Sequence, residues 1–396
     1  MILTADWVVP MDGPPIRDGA VRIDGRTIAE VGPAAGDAGE RFAGAVILPG
    51  LVNAHTHLEY AAMGGFGDGM AFGPWIEDHI RRKAATGADD ALEQARAGAG
   101  ACLRSGVTTI ADCSYSGAVA DAAAEAGLRA IVYVEGFSDW PDLRARTEAR
   151  LDALPTTDLV RAGVSPHAPF TVTLDDYRML VGLARERGLP VATHLLESAR
   201  ETMHLDELRD VLGSDTVAIH VVFADPSDIE LMAALDVPAV HCPRSNALLG
   251  CGIAPLPELL ASGIRVGLGT DSPSSAIDFD MWAEMRAAIM HARARLGRAD
   301  AISARAALEL ATTGGAAALG LGSQTGTLTP GKAADICVLD LTGSSFLPWD
   351  DPVTAAVFGG SCDRVALTMV NGEIRYRRGF HAPPTATAAR AKMIHA

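Results

Sequence analysis

The middle of the chain alternates short apolar runs with longer stretches of amphipathic, alanine-rich sequence. Strands that are buried on both faces need apolar residues at successive positions, and eight runs rich in Val, Ile, Leu and Ala meet that requirement. The eight runs occupy residues 47–57, 107–113, 128–135, 159–167, 189–195, 216–222, 237–242 and 265–270. Helical stretches such as 89–104, 174–187 and 225–235 separate them. The pattern is therefore that of an α/β protein.

Eight strands that alternate with helices predict a closed (β/α)8 barrel of the TIM type. Glycines stand where a helix should end and the next strand begin, as is typical of helix C-termini. These glycines are Gly106, Gly127, Gly188 and Gly263. A doubly wound open sheet is the alternative architecture, but no G-x-G-x-x-G follows the first strand to support it.

Short strands and tight turns return at both ends of the chain. Asp-Gly pairs at 12–13 and 24–25, and Asn371-Gly372 near the other end, favour hairpin turns between such strands. We expect residues 1–48 and 326–380 to form one small β-sandwich domain and residues 49–325 to form the barrel. The remaining residues, 381–396, read as a tail rich in Ala, Pro and Thr.

The composition of the chain indicates which partners and which cellular compartment to expect. Its formal charge is −16, which argues against nucleic acid and against anionic membranes as partners. No apolar run reaches 18 residues, the start lacks a basic signal region, and the six cysteines form no C-x-x-C pair. We therefore expect a cytoplasmic protein with reduced thiols. A homodimer is compatible with such a barrel, although the sequence offers no interface.

Titratable side chains collect where the predicted strands end. In a barrel of this kind, catalytic groups sit at the C-terminal ends of the strands. His55 and His57 share one direction because alternate residues of a strand face the same side. The other candidates at strand ends are His167, His194, Glu197, His220, His241 and Asp271. Each histidine alone would more often be structural, but the clustering predicts a metal site.

A catalytic zinc ion commonly keeps three protein ligands and a water, and sometimes takes a fourth ligand. His194 lies three residues before Glu197, so it could bind the ion while the carboxylate reaches the water. Asp271 follows two glycines that let the backbone approach closely. His220 could be a ligand or an acid/base group. The plain alternative for Glu197 is a solvated residue at a helix start.

Other well-known catalytic motifs are missing or incomplete in this sequence. The chain has no H-E-x-x-H, no G-x-S-x-G and no G-x-x-x-x-G-K-[ST]. His57-Leu-Glu59 formally matches the H-x-E of small zinc nucleobase deaminases, but that class also needs P-C-x-x-C, which is missing.

Five motifs together resemble the amidohydrolase superfamily, and more narrowly its branch of aminohydrolases that act on adenine, guanine and triazine rings. The motifs are Pro49-Gly-Leu-Val-Asn-Ala-His-Thr-His57, Thr193-His-Leu-Leu-Glu197, His241-Cys-Pro-Arg-Ser-Asn246, Gly267-Leu-Gly-Thr-Asp-Ser272 and Gly331-Lys-Ala-Ala-Asp335. The resemblance implies one divalent ion, zinc first and iron as the alternative. Its implied ligands are His55, His57, His194 and Asp271. His167 stands where binuclear members carry a bridging lysine.

The resemblance to S-adenosylhomocysteine and methylthioadenosine deaminases also implies roles for single residues. Glu197 would take a proton from the attacking water and deliver it to the ring nitrogen beside the amino-bearing carbon. His220 and Asp271 would hold and deprotonate that water. His167 would face the substrate. The segment Phe72-Gly-Pro-Trp75 resembles the family's substrate loop, with Trp75 against the nucleoside, although Trp75 could instead be an ordinary aromatic on a surface helix.

The segment after His57 departs from most adenosine deaminators of this branch. The sequence His55-Thr-His-Leu-Glu59 resembles the corresponding segment of the aminodeoxyfutalosine deaminases of menaquinone biosynthesis. Glu59 would then contact a ribose or the side of the substrate that bears a benzoate, which requires a nearby cation. Arg82, Arg144 and Arg244 are the candidates for that cation.

Three hypotheses follow for the function. The favoured one is hydrolytic deamination of a small adenine nucleoside with release of ammonia, with 6-amino-6-deoxyfutalosine as the favoured substrate. The second is another hydrolase of the same fold, acting on guanine, a triazine chloride or a cyclic amide. The third is a non-catalytic metal-binding protein. Fold analogy does not choose the substrate, because function depends on the loops.

Overall fold

A computed structural model describes residues 1–36, 39–199, 201, 203–345 and 349–380, so the predicted tail lies outside the described residues. Strands β1 to β15 are, in chain order, Ile2–Val8, Ile16–Asp24, Thr27–Pro33, Glu40–Pro49, Leu51–Thr56, Val107–Ser114, Arg129–Gly136, Val160–Pro166, Val191–Leu195, Thr216–His220, Ala239–His241, Val266–Leu268, Ile336–Asp340, Val365–Val370 and Glu373–Arg377. Each of the eight apolar runs coincides with one strand of the barrel, from β5 to β12, and the strand ends within the run or one residue beyond it.

The barrel strands form a parallel sheet in the sequence order β5 to β12. Its two edges meet where Thr56 bridges Asp271, with the Asp271 amide donating to the carbonyl of His55 at 3.0 Å. Nearly every residue of these strands is buried, because the sheet is covered on both faces. The predicted barrel is confirmed, and the open doubly wound sheet is excluded.

The first predicted run, 47–57, is divided between two sheets. β4 ends at Pro49 in the small sheet, and β5 begins at Leu51 in the barrel. Gly50 joins them because a Cβ at this position would lie 2.1 Å from the hydroxyl oxygen of Thr108. Because both strands are apolar, the sequence pattern predicts one continuous strand where the structure has two.

Helices follow most barrel strands and cover the sheet from outside. Helices α1 to α13 are, in chain order, Phe72–Ala84, Ala88–Arg104, Ala118–Ala126, Leu143–Ala153, Leu174–Glu186, Pro226–Ala234, Pro243–Leu248, Leu256–Ala261, Pro273–Ala276, Met281–Leu296, Ala304–Glu309, Gly315–Ala318 and Pro352–Gly359. Short 3₁₀ segments occupy Leu58–Met63, Leu205–Leu208 and Cys362–Arg364, and a π-helical turn occupies Leu310–Gly314. Among the described residues, no helix combines the length and apolarity that a membrane crossing needs.

The strands from both chain ends form a second, seven-stranded sheet in the order β15-β14-β13-β4-β1-β2-β3. All its pairs are antiparallel except β1 with β4. Side chains from both halves, including Leu3, Ile47, Ile336 and Leu367, meet in one apolar core separate from that of the barrel. The predicted β unit from both chain ends is confirmed, whereas the domain boundaries stay predictions.

A buried ion pair joins this sheet to the barrel and explains the Gly331-Lys-Ala-Ala-Asp335 motif. Asp335, just before β13, accepts from Arg129 Nε of β7 at 3.0 Å and from the Asn371 amide at 2.7 Å. Asp335→Asn would leave the buried Arg129 without its counter-charge, so we expect the free energy of unfolding to fall by about 3–5 kcal/mol. Urea denaturation measures this.

Glu125→Gln is the matched control, because Glu125 pairs with Arg96 on the surface, where both side chains are 51% exposed. Surface pairs contribute little, so this variant should unfold like the wild type. Equal stability of the Asp335 and Glu125 variants would contradict the role given to the buried pair.

Candidate functional site

Four histidines and one aspartate meet at the C-terminal mouth of the barrel. We call His55, His57, His194, His220 and Asp271 the mouth cluster. The ring centre of His55 lies 4.8 Å from that of His57, 5.1 Å from that of His194 and 5.6 Å from that of His220. Asp271 Oδ1 lies 3.5 Å from His55 Nε2 and 3.6 Å from His57 Nε2. All five side chains are buried.

Two rings of the cluster are held through Nδ1 by main-chain carbonyls. His57 Nδ1 lies 2.6 Å from the carbonyl oxygen of Cys113, and His194 Nδ1 lies 2.8 Å from that of His167. A carbonyl oxygen only accepts, so each Nδ1 carries the hydrogen and each Nε2 keeps a lone pair. Carbonyl partners of this kind commonly orient histidines that bind metals.

The remaining two rings complete the donor set. His220 Nδ1 lies 3.0 Å from the side-chain oxygen of Asn246, which leaves its Nε2 facing the cluster side. His55 Nε2 is buried and has no hydrogen-bond partner among the described residues. A buried polar atom without a partner is costly, and a divalent cation would satisfy it. Imidazole and carboxylate donors suit zinc or iron, so the residues present fit such an ion.

Asp271 is held in its ionised form. Its carboxylate accepts from the hydroxyls of Ser245 at 2.6 Å and Ser275 at 2.8 Å, and from the amide of Ser272 at 2.7 Å. Burial alone would raise the pKa of Asp271, but the contact with His55 and the neighbouring histidines hold that pKa well below its usual value.

Glu197 has the opposite electrostatic setting. Its carboxyl is buried two residues beyond β9, and Oε1 lies 3.5 Å from His220 Nε2. Burial raises the pKa of Glu197 well above its usual value, and the charges of Asp271 and Glu201 raise it further. Glu197 and Asp271 are thus two neighbouring carboxyl groups whose surroundings separate their pKa values.

The backbone is strained where these side chains emerge. Leu196, His220, Val221 and Asp271 all have positive φ angles, of 52°, 77°, 45° and 57°, which residues other than glycine seldom adopt. Such strain persists only where the surroundings enforce it, and it gathers at functional sites. Gly269 allows the close approach of the backbone to His55 that the sequence predicts, because a Cβ at position 269 would lie only 2.7 Å from the Cβ of His55.

A cavity of about 880 Å³ opens over the mouth cluster. Its wall includes Phe72, Trp75 and His167, the residues expected to contact a substrate. Trp75 is buried rather than on the surface, and its indole nitrogen donates to the carbonyl of Ser274 at 3.1 Å. His167 Nδ1 lies 2.7 Å from the hydroxyl oxygen of Thr171.

The Glu59 carboxylate is buried against the loop after β6, and Glu59 is not among the residues of the cavity wall. It accepts from the main-chain amides of Tyr115 and Ser116, the latter at 3.0 Å, and from the Ser116 hydroxyl. The 3₁₀ turn that follows His57 directs the side chain there. Glu59 therefore holds the loop after β6, and its contact with a substrate stays a prediction.

The three candidate arginines are also committed elsewhere. Arg82 pairs with Asp78 at 2.7 Å, and Arg144 pairs with Glu186 at 2.7 Å on the surface. Arg244 binds the buried Glu284 at 2.5 Å. None of these arginines belongs to the cavity wall.

Sequence reasoning missed Glu135 and Lys83, which both line the cavity. Glu135 is the penultimate residue of the buried strand β7, as His55 is of β5 and His194 is of β9, and this signal was available in the sequence. Burial raises the pKa of Glu135 to about 8. His241, by contrast, is the last residue of β11 but lies outside the cavity wall and outside the groups of possible metal ligands in the described residues.

A parallel barrel with imidazoles and a carboxylate at its mouth defines a class of metal-dependent hydrolases. Residues 46–375 match the model of the Amidohydrolase family, and the chain belongs to that family. The prediction of a hydrolase that acts on carbon–nitrogen bonds is thereby confirmed.

Relatives of known name extend along nearly the whole chain. A 5-methylthioadenosine/S-adenosylhomocysteine deaminase from Syntrophobacter fumaroxidans is 34% identical, covering 94% of this chain and 91% of its own. A 5'-deoxyadenosine deaminase from Methanothermobacter thermautotrophicus is 32% identical, covering 93% and 92%. The crystal structure of an adenosine deaminase from Xanthomonas campestris with bound zinc has a TM-score of 0.90 at 26% identity, covering 100% of this chain and 97% of that one.

Proposed function

We propose that the protein is a metal-dependent hydrolytic deaminase that releases ammonia from an adenine nucleoside. The observation that carries the proposal is the mouth cluster, with the unpartnered Nε2 of His55, beside the protonatable Glu197. Relatives named as deaminases of adenosine-type nucleosides support the same substrate class.

His55, His57, His194 and Asp271 would hold one divalent ion, with zinc expected and iron as the alternative. When bound, such an ion supplies Lewis-acid activation that lowers the pKa of a water from 15.7 to about 7. His220 and Asp271 would orient the attacking water and accept hydrogen bonds or a proton from it. The low pKa of Asp271 keeps it available as an acceptor.

Glu197 would move the proton that the reaction needs. A raised pKa brings a carboxyl group closer to neutral pH, where it can both take and give a proton. It would take a proton from the attacking water and give it to the ring nitrogen beside the amino-bearing carbon. Pairs of carboxyl groups with separated pKa values are typical of such acid/base assignments. The proton left on the attacking oxygen would pass to the amino group by way of Asp271 or His220, so that the carbonyl bond forms as the carbon–nitrogen bond breaks and ammonia leaves.

The aromatic wall would position the base. Phe72 and Trp75 lie 5.8 Å apart by ring centres, and His167 faces the same cavity. We favour 6-amino-6-deoxyfutalosine, and hence a step of menaquinone biosynthesis, because of the His-Thr-His-Leu-Glu start. The cavity of about 880 Å³ is larger than a simple nucleoside requires, which suits an extended substituent. Methylthioadenosine, S-adenosylhomocysteine, guanine and triazines are the alternative substrates.

Ammonia release from a substrate panel tests this proposal. With zinc-loaded enzyme we expect turnover of adenine nucleosides with kcat/KM of about 10⁴ M⁻¹ s⁻¹ or more, highest for 6-amino-6-deoxyfutalosine. Guanine and a chlorotriazine are the comparison substrates from the alternative hydrolases. Turnover confined to either of these, or to no member of the panel, would overturn the proposal.

We place the enzyme in the cytoplasm, with a small-molecule nucleoside as its partner and with no nucleic-acid or membrane partner. A homodimer remains a prediction, for which gel filtration with light scattering is the direct measurement.

A further inference from the structure

One part of the cavity wall combines aromatic rings with a lysine. Tyr115 follows β6, and Phe137 and Trp140 follow β7; we call these three residues the aromatic box. Their ring centres lie 5.2 to 6.0 Å apart. The Lys83 ammonium lies 3.9 Å from the ring centre of Tyr115 and 5.0 Å from that of Phe137. This arrangement places a cation over the faces of the box.

Helix α1 brings Lys83 to this position. The cavity wall contains residues of α1 at the spacing of a single helical face, namely Phe72, Trp75, Ile76, His79, Ile80 and Lys83. Lys83 lies in the last turn, so its side chain extends the wall that Trp75 begins. Neighbouring Arg82 points away and pairs with Asp78.

The ammonium of Lys83 has no anionic partner at close range. Across the described residues, no acceptor hydrogen bonds it and no carboxylate approaches within 4.0 Å. Desolvation lowers the pKa of Lys83, while the more distant carboxyl groups of Glu135, Glu59 and Asp139 favour its charged form. Glu59 is already bound to main-chain amides. A partly desolvated cation that lines a cavity is therefore available to a ligand.

The box lies beyond His167 as seen from the mouth cluster. The ring centre of His194 is 4.9 Å from that of His167, which is 4.7 Å from that of Phe137. Lys83 follows at 5.0 Å from Phe137. A nucleoside with its base over the mouth cluster and its ribose near His167 would direct its 5′ substituent into the box.

We propose that Lys83 and the aromatic box bind an aromatic carboxylate carried on the 5′ side of the nucleoside. This inference rests on the proposed function and deepens it. A carboxylate fits better than a phosphate, because Lys83 is the one lysine or arginine that the described residues place in the cavity wall, and a single ammonium balances one negative charge. Arg146 and Arg150 also contact Trp140, at 3.8 and 5.2 Å from its ring centre, but they lie outside that wall. The flat ring that carries the carboxylate would pack against the box, whose members prefer offset or edge contacts with another ring.

The charge-removing variant Lys83→Met tests the proposal. The two probes are 6-amino-6-deoxyfutalosine, whose benzoate is the anion, and its neutral methyl ester. In the wild type we expect the acid to have the higher kcat/KM. In Lys83→Met we expect the ratio of kcat/KM for acid over ester to fall by about 10–100-fold, chiefly through KM for the acid.

Two further variants sharpen the result. Arg82→Met removes the neighbouring cation outside the cavity wall and should leave the ratio within about twofold of the wild type. Lys83→Arg keeps the charge and should restore most of the ratio. An unchanged ratio in Lys83→Met, or an equal fall in kcat/KM for both probes, would overturn the carboxylate site.

Measurements on the wild type distinguish failure of the Lys83 site from failure of the deaminase activity, and they do not depend on the folding of a variant. Turnover of methylthioadenosine with no preference for the acid over its ester would overturn the Lys83 site and leave the deaminase standing. Failure with every adenine nucleoside would overturn both. A preference for the acid that falls as ionic strength rises supports the site, because the contact is partly exposed to solvent.

Discussion

Glu197→Gln should lower kcat for deamination by about 10²–10⁴-fold while the protein keeps its metal ion. The amide cannot take a proton from water or give one to the ring nitrogen, yet it nearly preserves the volume of the carboxyl group. Because Glu197 lies 3.5 Å from His220 and is not one of the proposed ligands, metal content should remain near one ion per chain. Discontinuous ammonia assays measure kcat, and elemental analysis of the same sample measures the metal content.

Glu201→Gln is the matched control for this variant. One oxygen of Glu201 accepts from the Glu197 amide at 3.4 Å, and glutamine retains an oxygen that can do the same. Glu201 is absent from the cavity wall, so kcat should stay within a few-fold of the wild type. Near-normal kcat in Glu197→Gln would show that another group transfers the proton.

His194→Asn should reduce metal affinity by more than the 10–100-fold that is typical of losing a group that merely orients a ligand. Its ring is one of the donors proposed for the ion, and it lies 5.1 Å from His55 and 5.6 Å from His57 by ring centres. Deamination should fall with the metal content and recover only in part at high zinc. Competition with a chromogenic chelator measures the affinity.

His241→Asn distinguishes this effect from general damage to the barrel. His241 is equally buried at the end of a neighbouring strand but lies outside the mouth cluster. Its variant should lose some stability and yet keep one ion per chain. Equal loss of metal from the two variants would contradict binding of the ion by the mouth cluster.

The barrel was predictable because its strands are buried on both faces and so leave continuous apolar runs in the sequence. The boundary between the two sheets could not be predicted from the sequence, because Gly50 separates two strands of the same apolar character. Pairing in the small sheet was equally hidden. Ile336 lies opposite Pro49, and residues so distant in the chain leave no local signal of their register.

The candidate ligands were predictable because a parallel barrel gathers the ends of its strands at one mouth. The hydrogen bonds of Glu59 could not be predicted, because the direction of a side chain in a 3₁₀ turn depends on the amides it meets, here those of Tyr115 and Ser116. Lys83 was missed because only the docking of α1 decides which charged residues face the cavity. Glu135 carried a readable signal, since an acidic residue rarely ends a fully buried strand without a role.

The central claim is that distant residues of the chain hold one metal ion at the mouth of the barrel. Anomalous diffraction from zinc-loaded crystals, recorded on both sides of the zinc absorption edge, tests it most directly. We expect one peak per chain at about 2.0–2.2 Å from the side chains of His55, His57, His194 and Asp271. A map with no peak there, or with the ion bound elsewhere, would contradict the account.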